Sequence, residues 1–311
     1  MSRIPLGYSL VAALLLGVFV AAGPARAAAP TVTFSVPPWP GVTVKTEVVR
    51  QIFKALGYRT KVTQTSPTIA IQAVSQGQAD VELATWIPSQ KSTLDAIMKH
   101  GHVVIAGTNL QDAKYDIVVP DYVWKAGVHS IADLHKYPHE FGRKIYGIGA
   151  GSDGNLLVKK AISNNTYDLK GWRVMPSSTA AMLTQVKRAV HAHRWIAFLG
   201  WKPHWMNIVY HIKYLRDPKN IWGGKSVVYS IANRHFLETH PDLARFLKQF
   251  VITSKTQSEW IYRFSFKKID KAVVARQWIA QHPGKVKAWL AGVKALDGKP
   301  ASQAVEHAFH S

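Results

Sequence analysis

The chain has 311 residues, with 39 Lys and Arg against 18 Asp and Glu for a net charge of +21, and no cysteine. The missing cysteines exclude a disulfide framework and a lipid-bearing N-terminal cysteine. The basic excess would suit a polyanion, but Lys and Arg are scattered without a run of five or six, and no helix-turn-helix or RNA-binding signature accompanies them, so nucleic acid is not read as a partner.

At the N-terminus, Arg3 precedes the apolar run "LVAALLLGVFVAA" (Leu10 to Ala22), and Ala25, Arg26 and Ala27 give the small-residue pattern that a signal peptidase cuts. The run falls short of the roughly 20 residues of a spanning helix. Residues 1–27 are therefore expected to be a cleaved export signal, with no lipid anchor and a periplasmic mature chain. About 284 residues at about +19 remain, enough for two domains with cores of their own.

In "TVTFSV" the residues Val32, Phe34 and Val36 alternate as on a strand, and Val44, Val48, Ile52, Phe53 and Leu56 then form a helical stripe that stops at Gly57. "YRTKVTQT" reads as a second strand, "TIAIQAVSQG" as a second helix and "DVELATW" as a third strand closing on Trp86-Ile87-Pro88. A second block repeats the arrangement: "KIYGIG", "NLLVKKAI", "WRVMP", "STAAMLTQVKRAVHAHR" and "WIAFLGW", closing on Trp201-Lys202-Pro203. Strands alternating with helices at this spacing predict an α/β fold with right-handed crossovers on mainly parallel sheets flanked by helices. "YDIVVP" (Tyr115 to Pro120) and "KSVVYSIANRHF" (Lys225 to Phe236) suit strands passing between the two blocks. Beyond them lie amphipathic helices in which Trp260, Trp278 and Trp289 are expected to pack.

The stretch "GIGAGSDGN" between a strand and a helix carries three chemistries. Gly149, Gly151 and Gly154 satisfy G-x-G-x-x-G, but "WRVMP" runs into Ser177-Ser178-Thr179 where a dinucleotide site needs an acid for the ribose. Ser152 stands one residue short of a nucleophile elbow, with His204 and His240 available as bases and no oxyanion-hole motif before it. The third reading has the loop amides, with Ser152 and Asn155 as side-chain donors, facing an anion, while Asp153 caps the helix or points away. His191 and His193 in H-x-H fall on different faces of a predicted helix, and no Cys, Asp or Glu joins them, so no metal is expected. No cofactor is expected either.

Ligands of open α/β sheets bind beyond the carboxyl ends of strands. Trp39 in "PPWPG", Trp86 and Trp201 all stand just past strand ends, two of them in equivalent W-x-P turns. Converging indole faces suit a cation without N–H groups, such as a trimethylammonium compound.

In order and over most of the mature chain, "VPPWPGVTVKTEVVRQIFKALGY", "ATWIP", "GIGAGSDGN" and "FLGWKPHWMN" resemble the substrate-binding proteins of ABC importers for glycine betaine, choline and carnitine. The resemblance implies a two-lobed periplasmic-binding-protein fold of type II-like form, with two crossing strands at the hinge. Residues 28–115 and 228–311 would build the first lobe and 116–227 the second. It implies a cage of Trp39, Trp86 and Trp201 with Tyr115 as fourth wall. A ligand carboxylate would be held by the loop of Gly151, Ser152 and Asn155, or by the amides of Gly41 and Val42 where "PGVT" opens a helix. Gln90, standing where some betaine binders carry a histidine, and His204 complete the candidate set. Choline-preferring relatives have an acidic residue just after the first cage tryptophan, where this chain has Pro40-Gly41. The implied function is a monomeric receptor, without catalysis, for glycine betaine foremost, or for carnitine, proline betaine or choline, delivering it to the permease of an ABC importer. A secreted serine hydrolase or lyase using Ser152 is the alternative.

Overall fold

The computed structural model describes residues 28–99 and 101–310, so the expected export signal lies outside the described residues. Strand β1 (Thr31–Val36) is followed by α1 (Pro40–Ala55), β2 (Arg59–Gln64), α2 (Pro67–Ser75), β3 (Val81–Ile87), α3 (Lys91–Met98) and the long β4 (Val103–Pro120). Then come α4 (Asp121–Lys125), β5 (Lys144–Tyr146), α5 (Asp153–Ser163), β6 (Arg173–Met175), α6 (Thr179–His191), β7 (Ala197–Lys202), α7 (Met206–Val209), β8 (Ile212–Tyr214) and β9 (Ser226–Asn233). Six helices close the chain: α8 (Arg234–Thr239), α9 (Pro241–Gln249), α10 (Ser254–Ile261), α11 (Lys271–Gln281), α12 (Pro283–Trp289) and α13 (Ala301–His310).

The strands lie in the order β2-β1-β3-β9-β4-β7-β5-β6, with β8 beside β4. β2, β1 and β3 are mutually parallel, as are β6, β5 and β7, which matches the two strand–helix blocks read from the sequence. β9 runs antiparallel to β3 and to the first part of β4, from Val103 to Ala113. From Lys114 onward β4 pairs instead with β7, antiparallel, Tyr115 opposite Trp201. One strand thus belongs to two sheets, and Tyr115 stands just past the handover. The result is the two-lobed α/β fold that the pattern and the resemblance imply.

Each lobe is held by the helical face that the periodicity marks. Val44, Val48, Ile52 and Phe53 of α1 are buried against β1 and β3. Trp260, Trp278 and Trp289 are among the most deeply buried side chains, Trp260 edge-on to Trp278 at 5.0 Å and Trp278 stacked on Trp289 at 5.4 Å. These three pack, as expected. His191, His193 and His211 are exposed, and no group of metal-ligating side chains occurs among the described residues.

Candidate functional site

Prolines fix the first wall. Pro37 and Pro38 end β1, Trp39 takes extended backbone as the residue before Pro40, and Pro40 begins α1 where a missing N–H does no harm. No side chain caps this helix start, so its first amides, Gly41 and Val42, have no intrahelical acceptor. The second and third walls are Trp86 at the end of β3 and Trp201 at the end of β7, and in both W-x-P turns the peptide before proline is cis. Tyr115 lies between them, edge-on to each ring, 6.1 Å from Trp86 and 6.1 Å from Trp201. Trp222, which the sequence reading passed over, tilts against Tyr115 at 4.9 Å and fixes it from the side away from solvent.

Trp39, Trp86, Tyr115 and Trp201 line one cleft, together with Gly41, Val42, Lys45, Ala84, Ile148, Asp153 and Gln257. Six of the expected ligand-binding residues therefore meet in one cavity: Trp39, Trp86, Trp201, Tyr115, Gly41 and Val42. The other five do not line it. Gly151 is exposed, and a Cβ there would meet Ser66 only at 3.6 Å. Ser152 is buried as the N-cap of α5, its Oγ accepting from the Asn155 amide at 3.4 Å. The Asn155 side chain staples the loop: Nδ2 donates to the carbonyls of Ile148 (2.7 Å) and Gly149 (2.9 Å), and Oδ1 accepts from the Ile148 amide (3.1 Å). Gln90 accepts the Trp86 amide at 2.5 Å and so closes the turn after β3. His204 packs edge-on behind Trp201 at 5.1 Å, and its Nδ1 accepts the Met206 amide at 3.1 Å. Burial pushes its pKa down to about 3, so the ring is neutral.

Two glycines of the Gly-rich loop are required by packing, Gly147 and Gly154. A Cβ on Gly154 would lie 2.1 Å from the Tyr115 hydroxyl, and one on Gly147 would lie 2.1 Å from Asn155 Oδ1. At Gly41 a Cβ would meet Gln257 Nε2 at 2.6 Å, so that glycine seats Gln257 beside the start of α1.

Asp153 departs from expectation. The N-cap of α5 is Ser152, not Asp153; Asp153 is buried and lines the cleft beside Tyr115, with both carboxylate oxygens withdrawn from solvent. Neither oxygen has a well-formed hydrogen-bond partner. Burial pushes its pKa up to about 6, a rise that the nearby Ser89 hydroxyl and the amides of Asp153 and Gly154 restrain. Lys45 and Gln257 also went unread. The Lys45 ammonium is wholly buried under the floor of the cleft, donating to the Leu83 carbonyl at 3.1 Å and to Asn109 Oδ1 at 2.5 Å. Burial lowers its pKa while the neighbouring Glu82 opposes the shift, and Glu82 is raised by the same burial. Gln257 comes from α10, with Oε1 buried and unpartnered.

Chemically the cleft has two ends. Four aromatic rings and a carboxylate make one end attractive to a cation. Helix-start amides, a carboxamide and the positive pole of α1 make the other attractive to an anion.

Known proteins share this fold. A choline-binding protein of an ABC transporter, solved with choline, superposes with a TM-score of 0.87 at 29% identity, over 90% of this chain and 98% of that one. Lactococcal OpuAC, closed on glycine betaine, gives a TM-score of 0.76 at 30% identity, over 84% and 99%. The glycine betaine/carnitine transport binding protein GbuC of Listeria monocytogenes is 34% identical over 154 residues, which span 50% of this chain and about half, 51%, of that relative. These relatives are transport binding proteins, not enzymes. Residues 30–281 match the model described as the substrate binding domain of ABC-type glycine betaine transport systems, and the chain belongs to that OpuAC family.

Proposed function

We propose that the protein is an exported, monomeric receptor that closes on a quaternary ammonium zwitterion, glycine betaine foremost, and hands it to the permease of an ABC importer. The trimethylammonium end sits among Trp39, Trp86, Tyr115 and Trp201. Each ring face offers cation–π attraction of roughly 0.5 to 2 kcal/mol, the more so once water is excluded. The carboxylate end lies on the amides of Gly41 and Val42, with the Gln257 carboxamide beside them and the Lys45 charge beneath.

The observation that carries this reading is the meeting, in one cleft, of a Trp86–Tyr115–Trp201 arc with an uncapped helix start. The helix-start end favours a zwitterion over choline, whose neutral hydroxyl makes weaker hydrogen bonds to amides than a carboxylate does. The sheet handover in β4 gives closure its hinge: Trp86 stands on one sheet, with Trp39 just past the end of its strand β1, and Trp201 on the other. No helix among the described residues is long and apolar enough to cross a membrane. Ser152 does not support the hydrolase reading, because its Oγ is engaged as a helix cap and lies outside the cleft lining.

Titration calorimetry with glycine betaine, proline betaine, carnitine and choline tests the assignment. Saturable binding without product is expected, with glycine betaine about tenfold or more tighter than choline. Equal affinities would remove the anion end, and no binding at all would remove the cage.

A further inference from the structure

We infer that Asp153 adds a hydrogen-bond acceptor to the aromatic cage, so that the site also takes tertiary ammonium zwitterions that retain one N–H, of the dimethylglycine type. This rests on the reading above that an ammonium occupies the cage. A cage of rings alone rejects such a ligand, because its N–H loses water and finds no acceptor.

Here the rings are not alone. Asp153 is only 9% exposed, lines the same cleft as Tyr115, and has no well-formed partner for either oxygen. Its position is at the cage end. Gly154, the next residue, lies so close under the Tyr115 hydroxyl that a Cβ there would overlap it, and Ser89, the carboxylate's other neighbour, follows directly on the Trp86-Ile87-Pro88 turn. Lys45, which also lines the cleft, is engaged elsewhere. Lys45 donates to Leu83 and Asn109, and its acidic neighbour is Glu82.

A buried carboxylate with only poorly formed hydrogen bonds burdens the ligand-free protein, and a ligand bringing both a positive charge and a donor relieves it. A charge-assisted N–H···O bond is about twice as strong as a neutral one. That gain compensates the tertiary ammonium for the methyl-to-ring contact it lacks, while the quaternary ammonium keeps the charge attraction alone.

The test compares glycine betaine, dimethylglycine and tetramethylammonium by calorimetry on the full mature chain and on Asp153→Ala. Expected in the parent is a dissociation constant for dimethylglycine within about thirtyfold of that for glycine betaine. In the variant, dimethylglycine should weaken at least about tenfold more than glycine betaine. A wider gap in the parent, or equal weakening of both zwitterions in a folded variant, overturns the role of Asp153 while leaving the cage in place. If neither glycine betaine nor tetramethylammonium binds the parent, the cage reading falls and this inference with it. Should Asp153→Ala fail to fold, the parent ratio alone decides.

Discussion

Tyr115 has no room to move. It is wedged between Trp86, Trp201 and Trp222, and its hydroxyl rests over the bare Cα of Gly154. In an exposed helix Gly154→Ala would gain about 1 kcal/mol of propensity. Here the added methyl must push a fixed ring, at a cost of about 1 to 3 kcal/mol. The variant should therefore lose about tenfold or more in ligand affinity by calorimetry, whereas Gly149→Ala, whose Cβ would meet nothing within 4 Å, should bind like the parent. Equal behaviour of the two would mean that the ring is not held by Gly154. The same scale separates the tryptophans: Trp86→Ala and Trp201→Ala should each weaken binding by about 1 to 3 kcal/mol. Trp278→Ala, in the packing cluster, should instead lower stability by about 3 to 5 kcal/mol in denaturant unfolding. That Trp39, Trp86, Tyr115 and Trp201 would line one cleft was legible in the sequence because strand ends fix where they stand. Asp153 and Gln257 were not, because the direction of a side chain at a helix start, or on a helix 100 residues away, depends on tertiary packing.

The turn into α5 shows at element scale why its motif misled. G-x-G-x-x-G and the elbow-like serine are both genuine spacings, yet of the motif's glycines only Gly154 is needed, to make room for Tyr115, and the serine caps a helix. Local spacing could find the strand-to-helix turn but not what fills it. Ser152→Ala should lower stability by about 1 kcal/mol, the usual worth of an N-cap, and change ligand affinity by no more than about twofold. A hydrolytic activity lost in this variant would contradict the receptor reading. Asn155→Ala removes three hydrogen bonds, two of them buried, and leaves the Ile148 amide without its acceptor, so it should destabilise more than Ser152→Ala in the same melting experiment. β4 was half legible for a related reason. Its apolar second half reads as a strand, but its first half, "VVIAGTNLQDAK", shifts register against β9 at three places, so no strict alternation marks it.

At the scale of the molecule, the two ends of the cleft can be told apart by proton linkage. Asp153 has a folded pKa of about 6 against an ordinary value of 3.8, because burial disfavours its charge. The ligand-free fold therefore holds this proton more tightly than the unfolded chain, and stability contributed by the protonated group is lost as pH rises from about 4 through 6. Asp153→Asn should accordingly raise the melting temperature of the ligand-free protein at pH 7 and change it little at pH 4. An ammonium beside Asp153 favours the ionised form, so binding should tighten as pH rises through about 6 and level off above it. The groups beside Asp153 are the Tyr115 hydroxyl, the Ser89 hydroxyl and the amides at the start of α5, and Lys45 lines the same cleft. Tyr115 stays protonated, since burial and the Asp153 charge both raise it. The buried Lys45–Glu82 pair also titrates near neutrality, but Asp153→Asn leaves it intact, so the difference between the two pH profiles belongs to Asp153. With glycine betaine, calorimetry from pH 5 to 8 should show the parent gaining several-fold in affinity and the variant losing that gain. An affinity that instead falls with pH in the parent, and not in the variant, would place the ligand's carboxylate beside Asp153 and exchange the two ends of the site.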